Sequence, residues 1–188
     1  QGELTGRIDL GLPGETTEFL RLGPLSAGVQ RDLPLVELQT HMQAVGELLD
    51  QVRGGTLTAA LSISVNPPRD LQWQALRSVR YRVAIPRALA PQMQHGGWRV
   101  LASLPWVGGR VDSHIHQMLR GLFEQQGLTP NIALRSDDTS ALDAFVRAGS
   151  GCALLREEIA LPGVERGEWL VWGHAQVDAQ LFFSWAAE

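Results

Sequence analysis

Helical and strand periodicities alternate along the whole chain, separated by short breaks that contain Gly or Pro. A chain patterned this way packs helices against its strands and uses them as the connections between parallel strands. The sequence therefore predicts an α/β fold with largely parallel sheets. Residues 7–12 alternate polar and apolar as a strand does. Pro13-Gly14 ends that strand, and Thr16 or Thr17 can cap a following helix. Leu22, Leu25, Val29 and Leu33 recur on one helical face, with Pro24 at its start or kinking it and Pro34 ending it. Residues 36–40 form a second strand. Val45, Leu48, Leu49 and Val52 fall at i, i+3, i+4 and i+7, with Gly54 placed as a C-terminal cap. Residues 57–63 are a third strand and complete a βαβ-type half.

The pattern then repeats without any repeat in sequence. Residues 71–85 carry one or two strands, residues 88–94 a short helix, and Trp106-Val107 a strand that stops at Gly108-Gly109. Ser113 caps a helix whose apolar face is Ile115, Met118 or Leu119, Leu122 and Phe123, closed by Gly127. Residues 131–135 form a strand. Asp138 or Thr139 caps a helix that turns Leu142, Phe145 and Val146 inward and ends at Gly149. Residues 152–155 follow as a strand, and residues 169–172 and 180–185 read as late strands returning to the first half.

Composition removes several function classes. With 188 residues, 44% of them hydrophobic, the chain has a real core. Its net charge of -4 gives no basic footprint for nucleic acid. All 16 basic residues are Arg, so Schiff-base and P-loop lysine chemistry are excluded. The single cysteine, Cys152, lies in an apolar run and reads as a buried small hydrophobe. No stretch reaches the ~20 apolar residues of a membrane span. No signal peptide is visible, and a cytoplasmic location is expected. Gly149-Ser150-Gly151 lacks the spacing of a nucleophile elbow. Asp137-Asp138 and Glu157-Glu158 are adjacent along the chain and read as solvated acids. No enzyme activity and no cofactor are expected.

Six segments, in order, carry a family resemblance. They are Leu22-Gly23-Pro24-Leu25; Leu33-Pro34-Leu35-Val36-Glu37-Leu38; Leu48 to Gly54 followed by Leu57-Thr58-Ala59-Ala60-Leu61; Ile85-Pro86-Arg87-Ala88-Leu89-Ala90; Leu101-x-x-Leu104-Pro105-Trp106-Val107; and Val146-x-x-Gly149-x-Gly151 leading into Cys152-Ala153-Leu154-Leu155. Together they resemble the regulatory domain of LysR-type transcriptional regulators. Thr58 stands where that family usually has Asp, and Arg156 where it usually has Pro. The family's winged helix-turn-helix and linker helix are not among these residues, and neither is its usual closing helix. The resemblance implies a type-2 periplasmic-binding-protein-like fold of two Rossmann-like lobes. Lobe I would be residues 1–80 plus 157–188 and lobe II residues 81–156, with a small-molecule effector in the cleft between. It also implies a homodimer or tetramer, and contact with DNA only through the N-terminal domain. An extracytoplasmic solute-binding protein of the same fold is the alternative; the upstream coding sequence discriminates the two.

In an open α/β sheet the ligand sits beyond the carboxyl ends of the strands, where helix N-termini offer free N–H groups. That criterion selects the loops at residues 14–17, 62–66, 108–113 and 136–139. The candidate residues for a polar or anionic effector are Thr16, Thr17, Ser62, Ser64, Gly109, Arg110, Ser113, Asp138 and Thr139; ordinary helix capping is the plainer role for Thr16, Ser113 and Thr139. Asp112, His114 and His116 suggest a metal set, but on a helix residues i and i+2 point apart, so no metal site is expected. Trp106, beside a cleft loop, is a candidate pocket wall.

Overall fold

The computed structural model describes residues 3–188. Gln1 and Gly2, at the start of the expected first lobe, lie outside the described residues. The strands are β1 (Gly6–Leu12), β2 (Val36–Met42), β3 (Ala59–Ser64), β4 (Gln72–Pro86), β5 (Pro105–Gly108), β6 (Asn131–Arg135), β7 (Ala153–Arg156) and β8 (Trp169–Trp185). The helices are α1 (Thr17–Leu20), α2 (Leu22–Asp32), α3 (Val45–Arg53), α4 (Trp98–Ser103), α5 (His114–Glu124), α6 (Leu142–Arg147) and α7 (Glu157–Glu165). Six strands form one sheet in the order β2-β1-β3-β8-β4-β7, and β5 pairs with β6 in parallel. Val107 donates to the carbonyl of Cys152 at 2.7 Å and Cys152 to that of Pro105 at 2.8 Å, which joins β5 to β7.

Two strands carry the architecture. β4 and β8 are antiparallel partners from Gln72↔Trp185 to Pro86↔Trp169. At one end β8 also pairs with β3, and at the other β4 also pairs with β7. The segments expected as separate strands, 169–172 and 180–185, are therefore one strand. Its pairing slips where Arg82↔Gln176 is followed by Val83↔Trp172, leaving Gly173, His174 and Ala175 as a bulge. That bulge breaks the alternation a continuous strand would show.

Helix starts follow local chemistry. The Thr16 hydroxyl accepts from the Phe19 N–H at 3.2 Å and caps α1. The Ser113 hydroxyl accepts from the His116 N–H at 3.1 Å and caps α5. Asp138, rather than Thr139, caps the turn before α6, accepting from the Ser140 N–H at 3.0 Å. Gly54 follows α3 in ordinary right-handed geometry, and Gly55 takes the left-handed position. Helix α4 has no counterpart in the sequence reading, and neither has α7, which contains Pro162.

The core is continuous across both halves. Trp106 is buried, donates its indole N–H to the Leu101 carbonyl at 2.9 Å, and meets the edge of Phe123. It is a core residue, not the pocket wall the sequence suggested. Helix α2 is the exception, because none of its residues is buried and Leu25 is exposed.

The Gly149-x-Gly151 motif has a steric basis. Gly149 leaves α6 at φ +83°, and a Cβ on Gly151 would lie 2.8 Å from the Pro105 carbonyl oxygen, against backbone that cannot yield. We expect Gly151→Ala to cost about 1–3 kcal/mol by forcing β5 from β7. Urea unfolding measures this; an unchanged midpoint would show that the junction tolerates the methyl.

Candidate functional site

Strands β1, β2, β5 and β6 all end on the same side of the molecule. The loops that follow them line a hollow of about 220 Å³, which includes Gly14, Gln43, Arg110, Ser113, His114 and Thr139. The rims touch. The Gly46 N–H donates to the Asp112 carbonyl at 3.4 Å, and a Cβ on Gly14 would sit 3.2 Å from the Thr139 hydroxyl.

Of the nine expected site residues, Arg110, Ser113 and Thr139 line this hollow. Arg110 lies 3.4 Å from Asp112 and is half-exposed. Ser113 is buried and already engaged, since it also donates to the Arg110 carbonyl at 2.7 Å. Gly109 stands just behind: its carbonyl accepts from Arg135 at 2.8 Å, and a Cβ there would collide with the Ser113 hydroxyl. Asp138 serves as the cap described above. Thr16 lines a different hollow, with Phe19, Arg77 and Arg156, and Thr17 is exposed on α1. Ser64 lines a third space and donates to the Asn66 carbonyl, while Ser62 is fully buried in β3 with no partner.

Sequence reasoning missed a buried ionic cluster beside the hollow, which shares His114 with its lining. Glu15 follows β1, and its carboxylate accepts three bonds. These come from the Tyr81 hydroxyl at 3.0 Å, His114 Nε2 at 3.1 Å and Arg156 Nε at 3.1 Å. All four side chains are buried. Burial pushes the Glu15 carboxyl up, but the bonds and charges of His114, Arg156 and Tyr81 outweigh it and leave the group below its ordinary value. Tyr81 is driven well above its ordinary value, first by burial and then by the Glu15 charge. The signal for this cluster was present: Arg156 is the departure from the family's usual Pro, and an Arg in an apolar strand needs an acid. Gln43 was missed because β2 was read as ending at residue 40, two short of Met42.

Asp112, His114 and His116 do not converge. His114 is spent on Glu15, and His116 Nδ1 accepts from Arg135 at 3.1 Å, which fixes it as an acceptor because Arg can only donate. Burial and the nearby Arg135 and Arg120 lower the His116 value. Among the described residues no group of three or more His, Cys, Asp or Glu is placed to hold a metal ion. Burial pushes the Cys152 thiol up to about 12, so it is not a nucleophile at neutral pH.

Two residues that line the hollow each bury an oxygen without a partner among the described residues: Gln43 Oε1 and Thr139 Oγ1. Buried polar atoms are normally bonded, so the pair is unusual.

A cleft between two sheet-bearing halves, crossed by two long strands and lined by strand ends, defines a two-lobed small-molecule-binding domain. The family described as "LysR substrate binding domain" matches residues 1–188, and the chain belongs to it. It is the effector-sensing domain of a LysR-type transcriptional regulator. Solved structures with this fold include the regulatory domain of Synechocystis PCC6803 CcmR in complex with 2-PG (15% identity, 97% of this chain and 88% of that one, TM-score 0.75). They also include the OxyR2 regulatory domain C206S mutant from Vibrio vulnificus (14%, 100% and 90%, TM-score 0.72) and the bromide-bound regulatory domain of HypT from Salmonella typhimurium (14%, 98% and 88%, TM-score 0.69). A search of the curated proteins found no match.

Glu15→Gln leaves Arg156 buried without a full countercharge, and we expect it to cost about 3–5 kcal/mol at neutral pH. Because the folded-state value of Glu15 is lowered, its contribution is complete above the ordinary carboxylate range and is lost as pH falls through the folded value. Urea unfolding of both proteins at neutral and acid pH should show the gap closing on the acid side. A gap independent of pH would mean that the carboxylate charge is not what holds the cluster.

Proposed function

We propose that the hollow bounded by Gly14, Gln43, Arg110 and Thr139 holds a small polar effector, and that its occupancy sets the angle between the lobes. The observation that carries this is the pair of unpartnered buried oxygens, one from each side of the cleft: Gln43 after β2 and Thr139 after β6. A ligand supplying N–H or O–H donors to both binds well only while the rims are close. Arg110 and the N-terminus of α5 suit an anionic or acceptor group on the same ligand. The CcmR domain in complex with 2-PG and the bromide-bound HypT domain support a small ligand of this kind.

The lobe boundary belongs to the same proposal. Residues 169–172 pair with residues 83–86, and residues 81–84 also pair with β7. The indole N–H of Trp169 donates to the Ala160 carbonyl in α7 at 2.9 Å. These contacts favour placing residues 157–176 in lobe II, where the sequence reading had put them in lobe I. DNA contact belongs to a separate winged helix-turn-helix domain, consistent with a net charge of -4 here. Among the described residues no helix is long and apolar enough to cross a membrane, and a cytoplasmic site of action fits a regulator that meets DNA.

Thermal melts against a panel of small polar acids and amides test the cleft. A true effector raises the melting temperature. Thr139→Val should leave unliganded stability level or slightly higher, since it removes a buried hydroxyl that bonds nothing. It should also weaken that ligand about tenfold, or ~1.4 kcal/mol. Arg110→Ala should weaken an anionic ligand similarly. If the ligand-induced rise survives both changes undiminished, the ligand sits elsewhere.

The dimer is proposed through α2 and β2. β2 is the outer strand of the main sheet with one unpaired edge, and Leu25, Leu35 and Met42 are exposed beside it. Leu25→Asp should convert a dimer to a monomer in sedimentation at unchanged melting temperature; a wild-type monomer, or a variant that stays dimeric, overturns this interface.

A further inference from the structure

A larger groove, about 580 Å³, lies on the other side of His114 from the cleft. One wall is a stripe of α5 that carries Met118 and Leu122. Gly121 lies in the same stripe, and a Cβ there would meet nothing within 4 Å, so its missing side chain gives the groove its depth. The facing wall is α3 with Leu49 and Arg53, followed by the turn after β3. Pro67 and Pro68 stiffen that turn, and Asp70 takes φ +59°. Ile63 and Val177 lie between the walls.

Positive charge is gathered where that turn meets α3. The Arg53 guanidinium donates through Nε and Nη2 to the Arg69 carbonyl at 3.3 and 3.0 Å, which brings Arg53 and Arg69 together. The acid that pairs with Arg53, Asp50, is 79% exposed and does not line the groove. The acid that does line it, Asp178, is held by Arg80 at 2.8 Å. The groove thus offers an apolar body, two arginines lining one end and a volume in the ordinary range for small-molecule sites, about 300–1,000 Å³.

We propose that this groove is a second ligand site, specific for a small carboxylic acid with a flat or branched apolar body. The carboxylate meets Arg53 and Arg69, and the body lies over Gly121 against Met118 and Leu122. The site is independent of the cleft ligand and stands or falls without it.

The test is calorimetric titration of 2-naphthoate into the 188-residue chain and three variants. Gly121→Leu extends a side chain into the groove from a Cβ that meets nothing within 4 Å, and Leu favours helix over Gly, so the fold is kept. Arg69→Glu reverses the charge on an exposed residue. Thr139→Val alters the cleft alone. We expect one saturable site in the wild type, weakened at least about tenfold by Gly121→Leu and by Arg69→Glu, and unchanged in Thr139→Val. Uncharged 2-naphthol should bind at least about tenfold more weakly than the acid. The proposal is overturned if the wild type shows no saturable binding, if Gly121→Leu binds as the wild type does, or if only Thr139→Val loses affinity. Melting temperatures confirm folding, and should Gly121→Leu melt early, Arg69→Glu decides alone.

Discussion

Every other feature of the domain hangs on the antiparallel ladder between β4 and β8. Each strand runs through both halves, so neither half owns a complete sheet. Cut there, β8 would lose its neighbour on one side and β4 on the other, exposing rows of unpaired N–H and C=O groups. The same ladder fixes the distance between the strand ends that make the cleft. Its weak point is defined: three residues of β8, Gly173 to Ala175, stand opposite the single step from Arg82 to Val83. A bulge takes up changes of twist at less cost than a regular ladder, so any rotation of one half against the other would concentrate there.

The Glu15 cluster ties distant parts of the chain together. Its acid comes from the loop after β1, and its partners come from β4, the start of α5 and the end of β7. Removing four polar groups from water is costly, and an apolar cluster of the same size would hold at least as firmly. What the ionic version adds is direction, because three donors converge on two oxygens in one geometry. Arg156 is also stacked over Phe19 of α1 at 4.2 Å, so its position is fixed by packing as well as charge.

Legibility in the sequence followed the range of the interactions. β6 is found at the residues expected, 131–135, and the caps at Thr16, Ser113 and Asp138 were visible because each lies within three residues of the N–H that donates to it. The type of fold was legible for the same reason, as the sum of many local patterns. The long strands were read in fragments because their two ends face different neighbours and a bulge interrupts their period. Helix α4 is six residues long, too short for periodicity to show, and Pro162 hid α7. Glu15 and Arg156 are 141 residues apart, and no pattern in one chain joins them. Only the oddity of an Arg at the end of an apolar strand pointed that way. The expected set of effector contacts scattered over three hollows because the strand-end rule names a side of the sheet, not a position along it.

A ligand can move this domain only by binding one arrangement of the halves better than another. Contacts made to a single half do not change as the halves rotate, and therefore bias nothing. Gln43 and Thr139 differ in this respect, since one follows β2 and the other follows β6. His114 lines both hollows, and its Nε2 is committed to Glu15, so the wall between the two spaces is held by the protein's own ionic cluster.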